Sequence, residues 1–238
     1  MMSSLSVFFI LILITPYTPC VESQTVDSGT LARIIQFIET HYKRVGPDGH
    51  DLQYAVAINV PKETCKPGFT PTNKNFLQQD EANNVKNAIN DEANALYQGR
   101  ELVAAGLKKV VINRKKTYNK HSESLLFNPS GNSPVTRLLG KRKDGCVIFY
   151  TFNSPCVDTC IDENGQHSIL KGLDELRSHS GPKAFVFKHI WKFDGGKPLS
   201  EKFKSVANRV PLYRCVSGNT CYPCEGHGNT AIASQCLP

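Results

Sequence analysis

Four residues in two short strings have the types and spacing for metal-assisted hydrolysis. "HSE" sets His121 two residues before Glu123, and "SPCVDTC" sets Cys156 and Cys160 four apart behind Pro155. Ser154 suits a helix N-cap and Pro155 the first helical position, so a helix is predicted to start there. Thiols at i and i+4 then share one face, and a helix N-terminus favours the thiolate form that ligates metal. An imidazole and two thiolates make a three-ligand zinc set whose fourth position is open to water, the catalytic pattern rather than the structural one. A nearby carboxylate that is not itself a ligand can move the protons of that water. Residues i and i+2 point apart on an ideal helix. His121 is therefore expected at a helix entrance and Glu123 one step inside it.

The elements that must position these groups can be read from hydrophobic periodicity. "CVIFYTF" (146–152) is apolar on both faces, as a central strand buried on both sides must be, and it ends just before the cysteine pair. Further strands are expected at 54–60, 108–114 and 184–191. Helices are expected at 27–43, at 82–96 through Ala82, Val85, Ile89, Ala93 and Leu96, near His121, and after residue 155 with Ile169, Leu170, Leu173 and Leu176 as its apolar stripe. "LSEKFKSVANRV" (199–210) is another helix, and the stretch holding Pro129, Gly131 and Pro134 reads as a loop. Strands alternating with helices beyond residue 146 imply crossover connections. The fold class expected is α/β: three layers, a mixed central sheet flanked by helices, and a disulfide-rich C-terminal tail. Residues 61–106 read as an insertion between the first two strands.

The compartment decides how cysteines are read. "VFFILILI" (7–14) is too short to span a bilayer and is followed by the small-residue step Val21-Glu22-Ser23, so residues 1–23 read as a secretory signal peptide. The domain is then expected at 24–210 and a Cys-rich extension at 211–238. No later segment is apolar enough to cross a membrane, and the expected location is extracellular. Of nine cysteines, removal of Cys20 with the leader leaves eight. A pair of free-standing thiols in such a chain is more often bonded to distant cysteines than to metal. If Cys156 and Cys160 do hold a metal, six remain, an even number for an oxidising compartment. These six (Cys65, Cys146, Cys215, Cys221, Cys224, Cys236) allow about 15 pairings. Cys221, Cys224 and His227 offer a second, weaker zinc set. The net charge is +7, and without the leader +8, which suits either a polyanionic partner or a solvated surface.

H-x-E followed by P-C-x₂-C is the signature of zinc-dependent nucleobase deaminases. "HSE" with "SPCVDTC" resembles the AID/APOBEC-type polynucleotide cytosine deaminases, in which a third residue between the cysteines is an accepted variant. The leader and the extra cysteines make the chain most similar to the secreted novel AID/APOBEC-like deaminases. The resemblance implies a cytidine-deaminase-like fold with Zn²⁺ held by His121, Cys156 and Cys160. It implies hydrolysis of cytosine to uracil with Glu123 as the proton shuttle, single-stranded DNA or RNA or another cytosine-containing nucleotide as partner, and a role in innate defence. It also points to substrate contacts from Asn153, Ser154, Trp191 and Phe193. Asn153 stands in the segment where the family often has Trp, and 31 residues separate Glu123 from Pro155. Arg114, Lys115 and Lys116 precede the H-x-E and could meet phosphates, with Lys120 beside them; Lys141, Arg142 and Lys143 form a second basic run. Two rival readings are a free-nucleoside deaminase and a non-catalytic, zinc-stabilised binding protein.

Overall fold

A computed structural model describes residues 25–114, 116–216 and 220–238; the expected leader, and Lys115, lie outside them. Nine strands and six α-helices succeed one another along the chain among these residues. α1 (Ser28–Tyr42) opens the fold, capped by Asp27, whose carboxylate accepts from Thr30 N at 2.8 Å. Next come β1 (Ala55–Val60), α2 (Ala82–Asn90), β2 (Leu96–Gln98), β3 (Leu102–Ala105) and the hairpin β4 (Lys108–Asn113) and β5 (Lys116–Lys120). α3 (Ser122–Phe127), α4 (Pro134–Lys141) and β6 (Cys146–Asn153) lead to α5 (Leu170–Ser178), β7 (Lys183–His189), α6 (Leu199–Ala207), β8 (Leu212–Val216) and β9 (Thr220–Pro223).

Seven strands form one mixed sheet in the order β2-β3-β1-β6-β7-β8-β9. β6 lies near its centre, antiparallel to β1 and parallel to β7. Alternate residues of each strand supply two separate cores. Ala57, Val103, Phe149, Phe185 and Phe187 face α3 to α6; Val56, Ile58, Ile148, Tyr150 and Val186 face α1 and α2. The expected three layers are present. Leu31, Ile34 and Ile38 of α1 are fully buried, each contributing about 1.5–3 kcal/mol.

Four expectations are corrected. Residues 108–114 do not enter the main sheet. β4 begins with two lysines and ends in Asn113, and none of its six residues is buried, so it pairs only with β5, and Val111 and Ile112 remain exposed. The place beside β1 goes to β3, whose Leu-Val-Ala-Ala run is buried throughout. The second helix stops at Asn90, because the Asp91 carboxylate accepts from Ala93 N and Asn94 Nδ2 and turns the chain, which leaves Leu96 to begin β2. Thus 61–106 is no mere insertion, since it supplies α2 and two sheet strands. Finally, the expected loop around Pro134 contains α4. Ser133 caps it with a reciprocal Thr136 contact, and Pro134 sits in the first turn where no N–H is needed.

Three disulfides join Cys65 to Cys146, Cys215 to Cys221 and Cys224 to Cys236. Two of them lie in the tail, as expected, and they remove Cys221 and Cys224 as zinc ligands. β8 and β9 extend the main sheet, so the Cys-rich stretch begins inside it. Among the described residues only Cys156 and Cys160 are unpaired. Cys65–Cys146 ties the turn after β1 to the first residue of β6 across a separation of 81 residues. Replacing both by Ala is expected to lower unfolding free energy by on the order of 4 kcal/mol in equilibrium urea titrations, with the m-value rising as the unfolded chain expands.

Candidate metal and catalytic site

The site lies at the carboxyl end of β6, where open α/β sheets place their ligands. His121 is the extended residue between β5 and α3, and Glu123 is the second residue of α3. Because His121 precedes the helix while Glu123 lies inside its first turn, the two side chains converge on one pocket despite their i, i+2 spacing. The cysteines arrive from the other side. After β6 the chain makes a single turn rather than the expected helix, with Cys160 N and Ile161 N both donating to Cys156 O at 3.0 and 3.2 Å.

Ser154 is not the cap of that turn. The fully buried Asp194 carboxylate accepts from Val157 N at 3.1 Å and is neutralised by Lys197 Nζ at 2.9 Å. Ser154 instead clasps the sheet edge: its N–H donates to His189 O at 2.6 Å, and its Oγ accepts from Trp191 N at 3.0 Å. It thereby fixes the height of Trp191 over the pocket.

The donor set fits zinc. His121 Nδ1 lies 3.4 Å from each of the two sulfurs, which are 3.6 Å from one another. Bonds of about 2.3 Å to sulfur and about 2.0 Å to nitrogen at tetrahedral angles require separations of about 3.7 Å and about 3.5 Å. These three residues form the metal-capable cluster among the described residues. Hydrogen bonding from the Cys160 thiol, assisted by His121, holds Cys156 down at about 4 against its burial, while Cys160 is pushed well up. The hydrogen bond to Cys156 raises His121. A divalent cation would take all three atoms as ligands at once.

Glu123 is buried and its pKa is raised by that burial, with hydrogen bonds opposing. Its Oε1 accepts from Thr151 Oγ1 at 2.8 Å and Gln53 Nε2 at 3.0 Å, and its Oε2 from Ser122 Oγ at 3.1 Å. Gln53 is oriented in turn by Asn153, whose backbone N and Nδ2 both donate to Gln53 Oε1 at 2.9 and 2.8 Å. All the contacts to the carboxylate come from neutral groups. Among the described residues no lysine or arginine bonds to it, and the neighbouring His121 acts on it only through its charge.

A cavity of about 160 Å³ opens onto His121, Glu123 and Cys156, walled by Gln53, Asn153 and Trp191 and completed by Leu107 and Asn119 from the hairpin root. Asn153, Ser154 and Trp191 therefore meet at the site. Phe193 sits on the rim, exposed, its ring 5.1 Å from Trp191 and 5.0 Å from Lys192 Nζ. Arg114 and Lys116 lie at the far tip of the β4–β5 hairpin and do not line the cavity. Lys141 and Arg142 bond to backbone oxygens of Gly99 and Asn59 instead. Sequence reasoning missed Gln53 and Thr151. Thr151 carried a signal, as a polar residue two from the end of an apolar strand; Gln53 carried none until β1 was paired with β6.

A family model described as Secreted Novel AID/APOBEC-like Deaminase 1 matches residues 28–238. No curated protein and no solved structure matches the chain.

Intact, disulfide-bonded protein is expected to carry about one zinc per chain, and Cys156→Ser or His121→Ala to lose it, as measured by native mass spectrometry. Full occupancy in either variant would remove that residue from the ligand set.

Proposed function

The chain belongs to the family of secreted novel AID/APOBEC-like deaminases, and from that premise we propose that it is an exported zinc enzyme that hydrolyses cytosine to uracil in single-stranded DNA or RNA. The observation carrying this reading is Glu123: a buried carboxylate outside the ligand set, held by three neutral donors in the pocket that the ligands share. A purely structural zinc needs no such group. Zinc bound by His121, Cys156 and Cys160 supplies an activated water as nucleophile at neutral pH.

The chain's own residues do the rest. Glu123 takes a proton from the attacking water and delivers it to N3 as the C4–O bond forms. It then takes the remaining proton from the new C4 hydroxyl and gives it to the amine as the C4–N bond breaks, so that cytosine and water give uracil and ammonia. Thr151 and Gln53 on Oε1 and Ser122 on Oε2 keep the carboxylate oriented through this exchange. Trp191, pinned by Ser154, and the exposed Phe193 beside it offer faces against which bases can stack. The hairpin that supplies two pocket residues carries Lys108, Lys109, Arg114, Lys116 and Lys120 and no acidic residue, which suits a phosphate backbone approaching the pocket. Three disulfides and membership of a family of secreted deaminases support export, and a role in defence accords with it.

Mass spectrometry of a cytosine-containing single-stranded oligonucleotide and of free cytidine, each incubated with the zinc-loaded protein, tests the reading. The oligonucleotide is expected to gain uracil, with loss of about 10²–10⁴-fold in Glu123→Gln at unchanged zinc content. Conversion of cytidine alone would replace the polynucleotide by a nucleoside. No conversion of either substrate by fully loaded protein would favour a binding protein. Gln53→Ala is expected to retain zinc and lose about 10–100-fold in turnover, because the carboxylate then loses its orientation.

A further inference from the structure

A cavity larger than the one at the His121, Cys156 and Cys160 cluster lies elsewhere in the fold. A cleft of about 490 Å³ opens at the opposite edge of the sheet, where β7 and β8 begin. β7 separates the two, since Lys183 at its start lines the cleft and Trp191, just beyond its end, walls the pocket, about 20 Å away along an extended strand.

Lys183 is the unusual group. Only 3% of it is exposed, and its side chain's one hydrogen bond among the described residues is a long one, 3.5 Å from Nζ to Arg177 O. No carboxylate among the described residues pairs with it. Lysines are almost never this buried without a partner, because removing the ammonium from water is unfavourable. Further cations gather around it. Arg177 lines the cleft and has no carboxylate partner among the described residues. Arg209 uses Nε on Asp174 at 3.1 Å and Nη1 on Ser205 O at 2.7 Å, leaving Nη2 uncommitted. His227 is at the rim, and Glu225 is the one acidic residue in the lining.

Val210, Pro211, Tyr213 and Pro223 give the cleft apolar and aromatic wall, beside the polar Thr25 and Asn208. The tail makes one of these walls. Cys224–Cys236 staples it, and Gly228 N donates to Asn208 Oδ1 at 2.8 Å. Gly226 lets the tail pack closely at a positive φ of 80°, where an added Cβ would lie 2.2 Å from Ile232 Cδ1.

We propose that this cleft is a second binding site, for a small organic anion whose phosphate or carboxylate group pairs with Lys183, Arg177 and Arg209 while its apolar or ring body lies against Tyr213 and Pro223. The Cys-rich tail thereby gains a purpose that the metal site does not explain, since it closes a ligand site. The volume falls in the range of small-molecule sites. The site is independent of the deaminase reading, as no residue is shared between the two cavities.

Isothermal titration calorimetry on the full, disulfide-bonded, zinc-loaded protein tests this with phenyl phosphate, benzoate and neutral benzyl alcohol as probes. At least one of the two anions is expected to saturate with Kd below about 1 mM, and benzyl alcohol to bind at least about tenfold more weakly. Preference for phenyl phosphate would identify a phosphate ester as the natural class, and preference for benzoate a carboxylic acid. Lys183→Met, which keeps the stem and removes the charge, is expected to weaken binding by about tenfold or more. Arg177→Gln, at an exposed position that leaves the core intact, is expected to weaken it by about threefold or more. Failure of both anions to saturate, equal binding of benzyl alcohol, or unchanged affinity in folded Lys183→Met or in Arg177→Gln would overturn the proposal.

Discussion

Strand β6 is hydrogen-bonded along both edges and covered on both faces, and the chemistry depends on that confinement. A strand so placed cannot slide by one residue without turning Val147 and Phe149 into the opposite core and exchanging them with Ile148 and Tyr150. Its register with β1 and β7 is therefore fixed, and so is the position of the turn at its carboxyl end that carries Cys156 and Cys160. The same strand holds Thr151, whose hydroxyl meets Glu123, and Asn153, whose two N–H groups orient Gln53. Three groups of the site are thus placed by one strand.

The second constraint is redox chemistry. Six of the eight cysteines among the described residues are disulfide-bonded, and the two that are not lie 3.6 Å apart with an imidazole beside both. Their pairing partners are remote because the three disulfides are closed within other parts of the fold. Ligation to a cation would withdraw the thiolates from exchange, so closing the three disulfides and keeping this pair out of them would be coupled problems.

The hydrogen bonds around Glu123 explain how a buried carboxylate is accommodated without a salt bridge. Three neutral donors offset part of its desolvation, yet none fixes its protonation state as a lysine or arginine would. Asp194, equally buried, shows the contrast. It is paired with Lys197 and bonded to a backbone N–H, and its task is to cap the turn beneath the ligands. Two buried acids thus have different roles, set by whether a cation stands beside them.

The sequence by itself determined the three-layer class, the central buried strand, the metal-capable trio His121, Cys156 and Cys160, and the carboxylate of Glu123 beside it. Those signals are local: a double-faced apolar run, an H-x-E, and two cysteines behind a proline depend only on residue type and spacing. Tertiary structure alone decided which strand lies beside β1, which cysteines pair, and that Gln53 completes the carboxylate's support. Leu102–Ala105 is too short and too small to outweigh "KKVVINR" as a strand signal, and it wins only because its side chains fit between two covered faces. Ser154 has the sequence of a helix cap, yet Asp194, 40 residues later, takes that task once the β7 loop folds back. The cleft around Lys183 has no local signature, because its walls come from separated segments that meet only when the stapled tail closes over the edge of the sheet.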